Sequence, residues 1–185
     1  TFEKAEEREA AKGLFLLSAK PVLYVCNVND ADAVKGNRYT EAVAEAARAD
    51  GAEFMIVAAK TESEIAEFED YEERKIFLNE LGLEESGVNR LIRSAYSLLN
   101  LETFFTTGSD ESRAWTFTKG SKAPQCAGII HTDFERGFIR AEVIKYADYV
   151  ALGSEAAVRE AGKMNIEGKD YVVQDGVIMH FRFNV

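Results

Sequence analysis

The chain has 185 residues and a net charge of -10, with 46% hydrophobic and 29% charged residues. This balance excludes a disordered or fibrous chain, and the length allows one large domain or two small ones. No apolar run approaches the roughly 18 residues that a membrane span needs, so we predict a soluble chain without a membrane partner. The acidic balance also argues against generic nucleic-acid affinity, and we expect no DNA specificity.

The first residues, Thr1 to Glu9, contain neither an initiator Met nor an apolar core. They do not look like a signal peptide, and we expect the chain to be part of something longer. Cys26 and Cys126 lie among small apolar residues, which predicts two reduced, buried thiols. With only His131 and His180 beside them, and without a C-x-x-C pair, we expect no transition-metal site.

The first hundred residues alternate between helical and buried-strand patterns. We predict helices over residues 2–18, 38–49, 63–81 and 86–99, and apolar strands over residues 21–27 and 53–59. The strand–helix–strand order predicts a parallel crossover unit. Polar or small residues follow both strands, and ligands of open α/β sheets bind at those carboxyl ends.

The pattern changes to a small α+β fold of the ubiquitin-like β-grasp type near residues 99–102. We predict a hairpin with strands at residues 104–108 and 114–120, a helix at 123–130, a strand at 138–144 and a helix at 154–161. A second hairpin, with strands at residues 171–173 and 177–183, is predicted around Asp175-Gly176.

Residues of the second part carry a specific family resemblance. The pattern includes Phe104-Phe105-Thr106, Arg113-Ala114-Trp115-Thr116, Gly120, Ala123-Pro124-Gln125, Ala127-Gly128, Ile130-His131, Asp133-Phe134-Glu135, Gly137-Phe138-Ile139 and Ala141-Glu142-Val143. It continues with Ala161-Gly162-Lys163, Glu167-Gly168-Lys169, Tyr171 and the ending Phe181-x-Phe183-x-Val185. This pattern closely resembles the carboxyl-terminal part of the Obg-like ATPases, the YchF (EngD) family, and the likeness covers essentially the whole chain.

The resemblance implies a partial Ras-like P-loop NTPase domain of α/β class, followed by an α+β TGS domain of β-grasp type. Residues 1–20 then resemble the end of a helical coiled-coil insert, 21–100 the last part of the nucleotide domain, and 101–185 the TGS domain. The family members are cytosolic nucleotide hydrolases, so the resemblance implies Mg²⁺ and ATP, or GTP, in the full-length protein. We expect no cofactor in this chain alone.

The family resemblance also identifies two loops that would contact the nucleotide base. Asn27-Val28-Asn29-Asp30 corresponds to the guanine-reading Asn-Lys-x-Asp, with Val28 in place of Lys, and Asp30 where the family usually has Glu. Ala58-Ala59-Lys60 resembles the second base-contacting loop, with the Ala59 backbone N–H on the base edge and Lys60 beside the ring. We favour ATP on family grounds, although Asp30 leaves GTP open. The alternative is that Asn29-Asp30 merely forms an Asx turn or helix cap.

The sequence contains no G-x-x-x-x-G-K-[ST], the motif whose backbone cradles phosphates and whose hydroxyl binds magnesium. Phosphoryl transfer depends on positioning the phosphates and the attacking water. We therefore predict that this chain alone hydrolyses no nucleotide, and we expect no catalytic residue in it.

A basic segment points to a polyanionic partner. Six cations and three anions give residues 113–145 a net charge of +3. Cations interleaved with aromatic residues suit phosphate contact and base stacking. Taken with the family resemblance, which implies a translation-linked TGS module, they predict contact with RNA of the large ribosomal subunit. The predicted contacts are Arg113, Trp115, Lys119, Lys122, Arg136 and Arg140.

Interpretations without a functional site remain open for the same residues. The basic segment is also compatible with a mixed solvated surface, Trp115 with a core position, and His131 with a structural role beside Asp133. At the level of the whole chain, the alternatives to a part of a nucleotide hydrolase are a non-catalytic TGS adaptor that binds RNA or ribosomes, or a β-grasp domain with a structural role.

Overall fold

A boundary between Leu99 and Asn100 divides the chain into two compact units, Thr1–Leu99 and Asn100–Val185. The computed structural model describes residues 7, 10–11, 13–108 and 111–184. The predicted helix over residues 2–18 lies in part outside the described residues, at positions 2–6, 8, 9 and 12. Its described end differs from the prediction, because the chain turns at residues 13–15 and then forms a 3₁₀ turn at Leu17–Ala19. Gly13, a poor helix former, stands where the regular pattern stops.

The first unit contains a parallel pair of strands. Strand β1 (Leu23–Asn27) pairs with β2 (Glu53–Val57), and helix α1 (Arg38–Ala49) connects them. Asn37 begins this helix by accepting hydrogen bonds from two backbone N–H groups of its first turn, and Gly51 follows its end with φ of 66°. The predicted parallel crossover is confirmed.

Three more helices lie in the described part of the first unit: α2 (Ala59–Glu67), α3 (Tyr71–Glu80) and α4 (Gly87–Leu98). The single helix predicted over residues 63–81 is wrong, since the chain breaks at residues 68–70. Asp70 begins the new helix α3, because its Oδ1 accepts hydrogen bonds from two backbone N–H groups of the first turn. Ser86 caps α4 as predicted, with its hydroxyl accepting the N–H of Asn89 at 3.2 Å.

A mixed five-stranded sheet with the order β4-β3-β7-β5-β6 forms the second unit. β3 pairs antiparallel with β4 and parallel with β7, whereas β5 pairs antiparallel with both β7 and β6. The strands are β3 (Leu101–Thr107), β4 (Ser112–Thr118), β5 (Phe138–Lys145), β6 (Asn165–Glu167) and β7 (Val177–Phe183). The sequence did not predict β6.

The Asp175-Gly176 turn does not close a hairpin, which corrects the prediction. The residues directly before the turn form no strand, and Val172 among them makes only an isolated bridge to Lys122. Instead the turn docks on β3: the Thr103 N–H donates to Asp175 Oδ1 at 2.8 Å, and the Gly176 N–H donates to the Thr103 carbonyl at 2.7 Å. These bonds set β7 beside β3.

Helices pack on both faces of the five-stranded sheet. On one face, Ala123 and Cys126 of α5 (Ala123–Ile130) join a core that contains Phe104 and Met179. The short helix α6 (Thr132–Arg136) follows α5 and adds Phe134 to that face. On the other face, helices α7 (Tyr146–Leu152) and α8 (Glu155–Glu160) pack on Ile144 and Ile178 through Tyr149 and Val158. Helix α5 matches its prediction, whereas α6 and α7 were not predicted.

Across the residues that the structure describes, no helix is both long enough and apolar enough to cross a membrane.

Candidate functional site

The two loops predicted to contact a nucleotide base are joined by a hydrogen bond. β1 and β2 are parallel, so both end at the same edge of their sheet. There the Asn27 side-chain oxygen Oδ1 accepts the backbone N–H of Ala59 at 3.0 Å. The Ala59 N–H was predicted to contact the base edge, but it already donates its hydrogen bond to Asn27.

This bond fixes how the Asn27 amide can act. Because a backbone N–H must face an acceptor, the amide oxygen lies toward Ala59 and the amide nitrogen, with its two N–H donors, lies on the other side. Asn27 is exposed, so those donors are accessible. They suit the N7 acceptor of a purine, which adenine and guanine share.

Asp30 is held by a residue that the sequence did not single out. It starts the 3₁₀ turn Asp30–Asp32, and its Oδ1 accepts a hydrogen bond from the hydroxyl of Thr61. Thr61 is only 2% exposed and lies in the first turn of α2. The sole sequence signal for Thr61 is its position directly after Ala58-Ala59-Lys60. Asn29 stands at the N-cap position of this turn, as the alternative interpretation expected, but its side chain makes no capping hydrogen bond.

Val28 and Lys60 complete the predicted base-contacting set. The Val28 backbone N–H donates to the Val57 carbonyl at 2.9 Å, which extends the link between the ends of the two strands. Lys60 is exposed, and its Nζ lies 3.7 Å from Glu64 Oε1 in a surface ion pair. Such pairs are weak, so the Lys60 side chain can leave Glu64 for a ligand at little cost.

The six residues predicted to contact RNA do not share one face of the second sheet. Trp115 lies opposite Phe104 in register, and Arg113 precedes it by two residues, so both point to the face of the Phe104 core. Ala141 belongs to that core as well, so its neighbour Arg140 points to the opposite face. The basic segment is therefore divided by the sheet.

Four of the five predicted cations have a carboxylate partner. Arg113 is the exception: within the described part of the chain, no carboxylate lies within 4.0 Å of it. The pairs are Lys119 Nζ with Glu102 Oε1 at 3.2 Å, Lys122 Nζ with Asp170 Oδ1 at 2.7 Å, Arg136 Nη1 with Asp133 Oδ1 at 3.6 Å, and Arg140 Nη2 with Glu142 Oε1 at 3.9 Å. Much of the positive charge is thus balanced locally.

Glu142 lies at the centre of an arginine cluster. Its side chain is 8% exposed, its carboxylate accepts hydrogen bonds from Arg182 Nε and Nη2, and Arg159 and Arg140 lie within 4.0 Å. The Arg182 hydrogen bonds, with the charges of the three guanidinium groups, lower the pKa of Glu142 despite its burial. The sequence did not identify Arg159 or Arg182, because only the strand register places Arg182 opposite Arg140.

Trp115 and His131 have structural roles. Trp115 is partly buried against the core, and its Nε1–H donates to Thr106 Oγ1 at 2.9 Å. His131 begins α6, since its Nδ1 accepts the N–H of Asp133 at 3.1 Å. Among the described residues, no three His, Cys, Asp or Glu side chains cluster in a way that could hold a metal ion.

Comparison with known proteins identifies relatives of this chain. Residues 101–184 match the family model YchF-GTPase_C, described as a protein of unknown function (DUF933). The ribosome-binding ATPase YchF of Bacillus subtilis is 55% identical over 182 residues, which cover 97% of this chain and 50% of that protein. Its namesake from Haemophilus influenzae is 53% identical over 180 residues, covering 97% and 49%.

Solved structures show the same likeness. The YchF GTPase of Schizosaccharomyces pombe superposes with a TM-score of 0.84 at 35% identity, over 98% of this chain and 48% of that one. A GTP-binding protein of Pyrococcus horikoshii gives a TM-score of 0.60 at 20% identity, over 90% and 46%, and shares the fold.

These matches show that the chain has the mixed α/β fold of the YchF GTPase structure. The chain belongs to the YchF family and matches the carboxyl-terminal half of its members. It spans about half the length of the relatives that it matches.

Proposed function

We propose that this chain is the carboxyl-terminal portion of a cytoplasmic ATP- or GTP-binding hydrolase that associates with ribosomes and regulates translation. Relatives at 55% and 53% identity are named ribosome-binding ATPases, which supports both the nucleotide hydrolysis and the ribosome association. Residues 1–20 are assigned to the end of a helical insert, residues 21–100 to the nucleotide domain, and residues 101–185 to a TGS domain.

The hydrogen bond between Asn27 and Ala59 carries the nucleotide half of this proposal. It joins the loops after two parallel strands, where α/β proteins bind ligands, and it leaves amide donors that suit a purine. The proposed base-contacting residues are Asn27, Val28, Asp30 and Lys60, and Ala59 takes part by holding the Asn27 amide through its backbone N–H. ATP is the preferred nucleotide, because Thr61 already holds one Asp30 oxygen and the Lys of the guanine code is absent.

The phosphates and Mg²⁺ would be held by residues of the full-length protein outside this chain, which has no phosphate-binding loop. Two exposed apolar side chains, Val25 of β1 at 46% and Ile92 of α4 at 51%, support a first unit that is completed by further chain. The residues described here would then supply only the base end of the nucleotide site.

The second unit is the proposed docking module. A mixed five-stranded sheet with α5 packed on one face supports the β-grasp assignment. Contact with RNA of the large ribosomal subunit is assigned to Arg113, Trp115, Lys119, Lys122, Arg136 and Arg140. Because the sheet separates Arg113 from Arg140, the proposal requires RNA to reach two sides of this unit.

Co-sedimentation of the chain with ribosomes over a salt series tests the proposal. Binding is expected to weaken steeply with salt, and charge reversal to Glu at Lys119, Lys122 and Arg140 should weaken it and flatten the salt dependence. The matched control reverses three exposed cations of the first unit, Lys35, Arg48 and Lys75, and should bind like the wild type. Unchanged binding in the first variant contradicts the proposed surface.

A further inference from the structure

Arg113 and Trp115 form a cation–π pair on strand β4. The Arg113 guanidinium carbon lies 4.2 Å from the centroid of the Trp115 ring, within the range of a cation–π contact. Arg113 is exposed, whereas Trp115 is partly buried against the core. The pair therefore joins a surface cation to the interior of the sheet.

Two contacts hold the indole in place. Its Nε1–H donates to Thr106 Oγ1 at 2.9 Å, and its ring lies nearly parallel to that of Phe104, with 15° between the planes and 6.5 Å between the centroids. Phe104 is 0% exposed, so it anchors the indole on the core side. An indole fixed in this way is a rigid support for the guanidinium plane.

We propose that Arg113 offers its guanidinium plane as a stacking platform for an unpaired RNA base, with Trp115 as its backing. This inference rests on the proposed RNA contact and assigns the two residues different roles within it. Planar guanidinium groups stack on aromatic rings and on unpaired bases. Trp115 contributes to the RNA site through Arg113, whose guanidinium lies over the indole ring.

Charge pairing distinguishes Arg113 from the other predicted contacts. Lys119, Lys122, Arg136 and Arg140 each lie within 4.0 Å of a carboxylate, whereas the described residues place none beside Arg113. A guanidinium plane held by an aromatic ring rather than by a carboxylate keeps its N–H edge and its outer plane accessible. The platform would accept any base, since every base has a π-face.

The single tryptophan of the chain makes the test direct. The chain is titrated with a single-stranded oligoadenylate and, separately, with inorganic polyphosphate of the same charge, while Trp115 fluorescence is followed. Oligoadenylate is expected to change the emission saturably, whereas polyphosphate should leave it nearly constant. Arg113→Lys keeps the charge but loses the plane, so oligoadenylate affinity should fall about five- to a hundredfold while polyphosphate affinity stays the same.

Arg48→Lys, the same substitution in the first unit, is the matched control and should bind like the wild type. The unfolding midpoints of both variants are compared with that of the wild type, so that a folding defect is not mistaken for lost stacking. Equal oligoadenylate affinity for the wild type and Arg113→Lys overturns the stacking role but leaves the proposed RNA contact intact. Absence of oligoadenylate and ribosome binding by the wild type overturns both.

Discussion

Glu142 and Arg182 join the two central antiparallel strands of the second unit by a bidentate ion pair. The Nε and Nη2 atoms of Arg182 on β7 donate to the two carboxylate oxygens of Glu142 on β5, at 3.2 and 3.1 Å. Glu142 is the one charged residue in the buried set of the described structure, at 6% exposure. Its charge is tolerated because Arg182, Arg159 and Arg140 surround it.

The lowered pKa of Glu142 predicts an acid-sensitive stability. Because the folded pKa lies below the unfolded value, the ion pair stabilises the fold fully above the unfolded pKa of about 4.3 and is lost as the pH falls through the folded pKa. Glu142→Gln should lower the free energy of unfolding at pH 7 by about 1–3 kcal/mol, since it removes a charged hydrogen-bond acceptor.

Urea unfolding between pH 7 and pH 3 measures this effect. The difference between the wild type and Glu142→Gln should shrink toward pH 3. Glu160→Gln, at an exposed position of α8, is the control and should follow the wild type throughout. A constant difference across the pH range would show that the charge of Glu142 does not stabilise the fold.

Gly137 is required by a close backbone approach. A Cβ atom at this position would lie 2.3 Å from the carbonyl oxygen of Asn184, which is backbone and cannot rotate away. Gly137→Ala should therefore lower the free energy of unfolding by about 1–3 kcal/mol. Gly168→Ala is the control, because a Cβ there meets nothing within 4 Å, and it should change stability little. Similar thermal midpoints for the two variants would contradict this.

The link between Asn27 and Ala59 should stabilise the first unit. Asn27→Ala removes the acceptor of the Ala59 N–H and should lower the free energy of unfolding by about 0.5–1.5 kcal/mol. Asn29→Ala, two residues away, removes a side chain without a capping bond and should have a smaller effect. Denaturant unfolding followed by a probe in the first unit compares them. An equal loss in both variants would assign the effect to the loop rather than to the link.

The two cysteines should differ in reactivity. Burial raises the pKa of Cys126 to about 12, and the residue is fully shielded in the core of the second unit, whereas Cys26 is partly exposed. A thiol reagent at pH 8 should therefore label Cys26 in the folded chain and both residues in denaturant. Rapid labelling of Cys126 in the Cys26→Ser variant would mean that the core opens readily.

The isolated chain should release no phosphate from ATP or GTP. It lacks the loop that cradles the phosphates, and positioning supplies nearly all of the catalysis in phosphoryl transfer. Phosphate release by the purified 185-residue chain in the presence of Mg²⁺ is compared with a buffer blank and with a full-length relative. Turnover above the blank would refute the prediction.

Short-range sequence patterns predicted the elements that are determined by interactions between residues close together in the chain. The apolar runs over residues 21–27 and 53–59 were predicted as parallel strands, and Ser86 as a helix cap, because burial and capping leave a signal within a few residues. The prediction failed around Asp175, where the same turn chemistry serves a hairpin or a docked loop. Hydrogen bonds to Thr103, distant in sequence, decided between them.

The sequence by itself indicated the family through its motif resemblance and the change of architecture near residue 100 through periodicity, because both are properties of the chain. It also singled out the residues of two loops, which stay a proposal as base contacts. Only the tertiary structure decided that Thr61 holds Asp30, that Arg113 and Arg140 lie on opposite faces, and that Arg159 and Arg182 gather around Glu142. The physical reason is strand register: alternate residues point to opposite faces, and which strands become neighbours depends on contacts between segments far apart in the chain.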